Sequence, residues 1–185
     1  PSELSTDAGV SYLEHDLFTN GIAYLIIAFD LAELPARLVP YTGLFGRALT
    51  EVGTTSEDYV AFSRRISSQI GGWYAATTLQ PVYGSDEFAN RFCVYGKAVM
   101  SRVPELVELT RAALLEVNLG NRERFKQLVL ESKSSLERQI IGSGHSFVQA
   151  RLAAHFDLGG WGGENMGGIS QLFFLRQLSE RIEKD

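Results

Sequence analysis

Apolar residues run along this chain in two rhythms. From Gly21 to Asp30 they are continuous, with Ile22, Ala23, Tyr24, Leu25, Ile26, Ile27, Ala28 and Phe29 filling both alternating faces. An unbroken run of this length predicts a strand buried on both sides, because a half-exposed strand would alternate. From Leu34 to Val52 the spacing becomes helical. Tyr41, Leu44, Phe45, Ala48, Leu49 and Val52 fall on one stripe, and Gly53 is placed to stop the helix. Thr54 lies three residues before Glu57, the spacing of a capping box. A second helix then carries Tyr59, Phe62, Ile66 and Ile70 inward and ends at Gly71-Gly72. Trp73 to Val82 and Phe88 to Met100 read as strands separated by Gly84-Ser85-Asp86, which predicts an antiparallel pair.

The rest is helical. Pro104 suits the first turn of a helix that buries Val103, Leu106, Val107, Leu114 and Val117. Arg122 to Ile141 forms the next, broken at Gly142-Ser143-Gly144, with a shorter helix from about His145 to Phe156. Gly159-Gly160-Trp161-Gly162-Gly163 reads as a flexible loop. The last helix, about Gly168 to Lys184, carries Ile169, Leu172, Phe173, Leu175, Leu178 and Ile182 inward. Its consecutive Leu172, Phe173, Phe174 and Leu175 spread round more than one face, so Phe173 or Phe174 is expected to point away from the core. Residues 1–20 read as a polar lead-in, and 21–185 as one domain. Strands and helices are segregated, which gives an α+β class, an antiparallel or mixed sheet with helices packed on one face.

Composition narrows the function. The 185 residues are 45% hydrophobic and 21% charged, an ordinary globular balance. A net charge of -5 without a basic stripe gives no reason to expect a nucleic-acid partner. The longest apolar run is too short for a membrane span, and the N-terminus shows no targeting segment. Cys93 is the single cysteine, which excludes an internal disulfide and reads as an inert buried thiol.

The three histidines do not form a ligand set. His15 has no partner histidine four residues back, and His145 and His155 fall on different helical faces. Gly142-Ser143-Gly144-His145-Ser146 lacks the strand and the Gly-x-Ser-x-Gly order of a nucleophile elbow. Gly159 to Gly163 lacks the Lys-Ser/Thr end of a phosphate loop.

A set of short segments carries a resemblance. It opens with His15-Asp16-Leu17-Phe18-Thr19-Asn20-Gly21 before the apolar strand. It continues through Leu44-Phe45, Gly53-Thr54 and Ile70-Gly71-Gly72, then Phe125-Lys126-Gln127-Leu128, Ser132-Lys133-Ser134-Ser135-Leu136-Glu137 and Gly144-His145. It ends with Gly168-Ile169-Ser170-Gln171-Leu172-Phe173-Phe174-Leu175. In order and spacing the chain resembles the third domain of the falcilysin-like, presequence-peptidase branch of the pitrilysin/insulinase zinc peptidases, over about Leu13 to Ile182.

The resemblance implies four homologous α/β domains in two halves that enclose a chamber, with zinc in the first domain. Catalytic members carry His-x-x-Glu-His upstream of the Gly-Thr. Counted back from Gly53-Thr54, the histidines would stand at Leu44 and Ala48 and the glutamate at Arg47. Zinc needs three protein ligands and an open position; two apolar side chains offer no lone pair, and a guanidinium repels the cation. Glu123 or Glu131 could stand on the helix of the third ligand, but alone. The chain is therefore expected to be a non-catalytic, inactive piece of a zinc metalloendopeptidase, without cofactor of its own. Its expected partners are other domains of the same polypeptide and short unstructured peptides, with no nucleic acid and no membrane. Its expected location is cytoplasmic in a bacterium and an organelle matrix in a eukaryote. The competing reading is a stand-alone structural or binding module that shares only the fold.

Overall fold

The computed structural model describes residues 2–7 and 9–184. It opens with a hairpin of β1 (Ser2–Asp7) and β2 (Val10–His15), in which Leu4 stands opposite Leu13. Paired strands thus replace the plain lead-in expected for 1–20. The hairpin's exposure explains why its polarity misled, since Leu4, Val10, Tyr12 and Leu13 all face solvent.

Three further strands make an antiparallel sheet in the order β3 (Ile22–Asp30), β5 (Phe88–Val99), β4 (Gly72–Pro81). One face is covered. Trp73, Phe92, Val94 and Ala98 pack there with Phe62 and Ile66 of α2 (Tyr59–Gln69) and with Leu106 and Leu109 of α3 (Val103–Leu115). The buried Trp73 Nε1 donates to Thr110 Oγ1 at 2.9 Å, which satisfies both polar groups. The other face is open. β3 is accordingly an edge strand and not the doubly buried one expected. Leu25 and Ile27 pack against the core, while Tyr24 and Ile26 are 63% and 60% exposed. An unbroken apolar run shows that both faces are apolar, but not that both are covered.

A 3-10 segment, Ala36–Tyr41, leads into α1 (Thr42–Glu51), within the stretch expected as one helix. α1 lies between the sheet layer and a helical layer. Leu49 joins the sheet-side core. On the opposite side Leu44 packs with Val129, Leu136 and Phe147 of α4 (Arg122–Ala153), and with Leu172, Leu175 and Leu178 of α6 (Ile169–Lys184). Ala48 and Val52 meet Leu128. α4 carries a non-helical residue, Ser143 (φ -140°, ψ 36°), at the break expected between Gly142 and Gly144.

Two local readings need correction. The helix α2 is capped by Asp58, whose carboxylate accepts from Ala61 N at 2.8 Å, and not by Thr54. Thr54 Oγ1 instead accepts from Ser56 N and Glu57 N in a tight turn before it. The glycine-rich 159–163 is helical, within α5 (Leu158–Gly167), and is capped by Asp157 accepting from Gly160 N. The glycines there permit close packing. A Cβ on Gly160 would strike Ala153 O, and one on Gly162 would lie 2.6 Å from Leu79 Cδ2. Burial also differs at two positions expected inside, Tyr59 and Val107, which are 38% and 54% exposed. On α6, Phe173 is the residue of the expected pair that turns outward, at 54% exposed, whereas Phe174 packs edge-on to Tyr41 at 4.6 Å.

Gly53 joins α1 to the rest. Its φ is +84°, and its carbonyl accepts from Asn118 N at 2.9 Å. An added Cβ would lie 2.6 Å from Glu57 O and 2.8 Å from Tyr59 N. Gly53→Ala is therefore expected to cost at least about 1–2 kcal/mol in urea unfolding. An unchanged midpoint would show that this turn is not held as described.

Candidate functional site

Leu44, Arg47 and Ala48 lie within one turn of α1, on the side that faces α4 and α6. Gly46, between them, rests against β4: a Cβ there would be 3.1 Å from Ala75 O. The helix axis is thus fixed against the sheet, and residues on the opposite side must enter the helical layer. Leu44 and Ala48 are 2% and 1% exposed and wholly engaged in packing.

Arg47 leaves these apolar surroundings sideways and finds acids. Its Nε and NH2 form a fork with Glu51, at 2.9 Å to Oε1 and 2.7 Å to Oε2. NH2 also meets Glu131 Oε2 at 2.8 Å, and NH1 donates to Ser132 Oγ at 2.7 Å. Arg124 closes the cluster. Its Nε donates to the Glu51 carbonyl at 2.8 Å, its NH1 reaches Glu131 Oε1 at 3.1 Å, and its guanidinium lies 4.3 Å over the Tyr59 ring. Two arginines and two glutamates make a neutral group that ties α1 to α4 and α2.

The charges act on one another as this geometry requires. Hydrogen bonding to Glu51, then to Glu131, holds the Arg47 guanidinium protonated more firmly than usual, against the opposing effect of burial. Arg47 and, after it, Arg124 hold the Glu131 carboxyl below the ordinary carboxylate range, again against burial. The arrangement fastens helices. It has no free base to activate a nucleophile, since both carboxylates are spent on guanidinium groups.

The residues present do not fit zinc. The two positions where the resemblance would put imidazoles hold buried alkyl groups, and the position of its glutamate holds a cation already paired with Glu51 and Glu131, none of them a donor to zinc. Among the described residues no three His, Cys, Asp or Glu side chains form a group that could hold a metal. His15 lies on the hairpin, His145 on α4 and His155 just beyond it, all exposed. Of the two carboxylates weighed as a third ligand, Glu131 reaches Arg47 and Glu123 is exposed in the first turn of α4. Cys93 is buried mid-strand in β5. Ser143 sits at the kink inside α4 and does not follow a strand.

Sequence reading missed Glu51, Arg124 and Ser132. Glu51 had a signal, the i, i+4 spacing from Arg47. Arg124 and Ser132 depend on the approach of α4 and had none.

Replacing Arg47 by Met should lower stability by roughly 1–2 kcal/mol, and Arg47→Lys should recover only part, because an ammonium cannot fork to Glu51. The acid limb tests the charge. Glu131 has its folded pKa below its unfolded one, so its contribution is complete above the ordinary carboxylate range. It is lost as pH falls through that range toward the folded value. Glu131 is half exposed, so the loss should be only about 0.5 kcal/mol, and it should shrink in Arg47→Met. Equal acid limbs in the two proteins would refute the pairing.

Comparison with known proteins gives the chain its relatives. The family described as peptidase M16 subfamily C associated matches residues 1–178. "Presequence protease 1, chloroplastic/mitochondrial" of Arabidopsis thaliana is 36% identical over the whole chain, which spans 17% of that protein. "Protein HypA" of Clostridium perfringens is 28% identical over the whole chain and 19% of its own length. The mitochondrial presequence protease of Saccharomyces cerevisiae is 28% identical over 90% of the chain and 17% of its own. The chain thus spans about a sixth of the curated relatives it matches. With nearly every residue matched, and with the α+β fold of helices on one sheet face, this chain belongs to the family of regions associated with subfamily C of the M16 peptidases.

Proposed function

We propose that this chain acts as a non-catalytic domain of a larger zinc metalloendopeptidase, where it helps to enclose short unstructured peptides such as presequences. The observation that carries the reading is α1. Its residues at the positions the resemblance aligns with the zinc motif are two core side chains and an arginine neutralised by Glu51 and Glu131, which supports a helix that holds a domain together in place of a metal. The family match and the presequence proteases among the relatives supply the peptidase context. That the chain spans 17% of those proteins leaves ample room for a catalytic domain elsewhere in the polypeptide. In this reading, zinc, general base and substrate water belong to that other domain. The location would be an organelle matrix in a eukaryote, in keeping with relatives named chloroplastic or mitochondrial, and the cytoplasm in a bacterium. Among the described residues no helix is long and apolar enough to cross a membrane.

The test is peptide cleavage. The 185-residue chain, repurified and incubated with a presequence peptide, should leave it intact. The full-length polypeptide should cleave the same peptide and lose that activity to a zinc chelator. Chelator-sensitive cleavage by the short chain, abolished by a substitution within it, would overturn the proposal.

A further inference from the structure

The open edge of β3 and the apolar groove beside it form one continuous unfilled surface. Leu31 N donates to Asn90 O and Met100 N to Gly21 O, so odd-numbered residues of β3 bond to β5. In an antiparallel ladder the alternate residues then turn their N–H and C=O groups outward. Among the described residues Tyr24, Ile26 and Ala28 therefore present unpaired backbone along the free edge. From Ile22 to Phe29 it has no lysine, no proline and no charge.

On the covered side of the sheet, β3 overhangs a cavity of about 850 Å³ between itself, the 3-10 segment, α1 and α3. Leu25, Ile27, Phe29, Leu38, Phe45 and Leu114 line it, and Arg111 is the one charged side chain in its wall among the described residues. Phe29, Phe45 and Val107 are 43%, 41% and 54% exposed around it.

We infer that a β-strand from the same polypeptide, outside residues 1–185, adds to the free edge of β3 and drops alternate apolar side chains into this groove. The inference rests on the proposed reading that the chain works within a longer peptidase. Backbone complementarity sets the form of the occupant, an extended segment of roughly five to nine residues. The groove sets its chemistry, apolar at every second position. The source follows from two observations. Relatives carry more than four-fifths of their length outside the matched region, since the chain spans 17–19% of them. A second copy fits less well, because pairing two β3 edges would run the sheet on and place one groove beside the other without filling either. A transient peptide would leave this apolar edge bare between encounters, and an edge of that kind aggregates.

Residue-resolved amide hydrogen exchange on the full-length polypeptide tests this. Leu25 and Ile27, bonded to β5, serve as internal controls. The N–H groups of Tyr24, Ile26 and Ala28 should be protected to within about tenfold of those controls. Exchange at least about 100-fold faster than the controls would mean a bare edge and would overturn the inference. Protection that falls on dilution would assign the edge to a second copy, and protection that appears only with added peptide would assign it to substrate; either result also overturns it. Because peptide cleavage is measured separately, an active polypeptide with a bare β3 edge would sink this inference and leave the proposed function standing.

Discussion

α1 is packed on two sides, and the rest of the fold is arranged by that fact. Gly46 lets the helix approach Ala75 of β4 closely, and a bulkier residue there would lift it from the sheet. Once the helix is down, Leu49 belongs to the sheet-side core and Leu44 to the layer formed with α4 and α6. Full burial of a leucine contributes roughly 2–3 kcal/mol, so the opposed pair alone is a large fraction of a marginal stability. The lateral position of α4 is set by Ala48 against Leu128 and by Arg47 against Glu131.

The same geometry explains why a helix of this kind can serve either chemistry or structure. Side chains at i, i+3 and i+4 converge on one neighbouring helix. Imidazoles and a carboxylate in those places would focus on a cation. Leucine, arginine and alanine focus on packing and carry their own cation. The guanidinium brings charge, and Glu51 and Glu131 answer it, so the cluster is neutral with its hydrogen bonds directed. A half-exposed cluster of this kind contributes modestly to stability. Its larger effect is to fix the register of α1 against α4, through Arg47 on Glu131 and Ser132 and through Arg124 on the Glu51 carbonyl.

Much of this was legible in the residues themselves. Helical spacing gave α1, α2, α3 and α6, and Gly142-Ser143-Gly144 marked the kink of α4. What escaped depended on neighbours absent from any local pattern. β3 is apolar on both faces, but periodicity is silent on which face is covered. The glycines of α5 resemble a loop when read alone, and become a helix because Asp157 caps them and because Ala153 and Leu79 need the space a side chain would take. The hairpin's alternating Val10 and Tyr12 were hidden among polar residues. At the site, Arg47 and its motif neighbours were placed by resemblance, while Arg124 and Ser132 came together only through the packing of α4 on α1.

The most direct measurement is the stability of Leu44→His/Ala48→His, which places two imidazoles on α1 at i and i+4. If these positions are core, two polar rings buried without partners should cost several kcal/mol, about 3 or more. The variant should then lose its cooperative urea transition at neutral pH, with or without added zinc. A variant that unfolds within about 1 kcal/mol of the original chain, or that gains a zinc-dependent rise in its midpoint, would contradict the account, because α1 would then present a site and not a core.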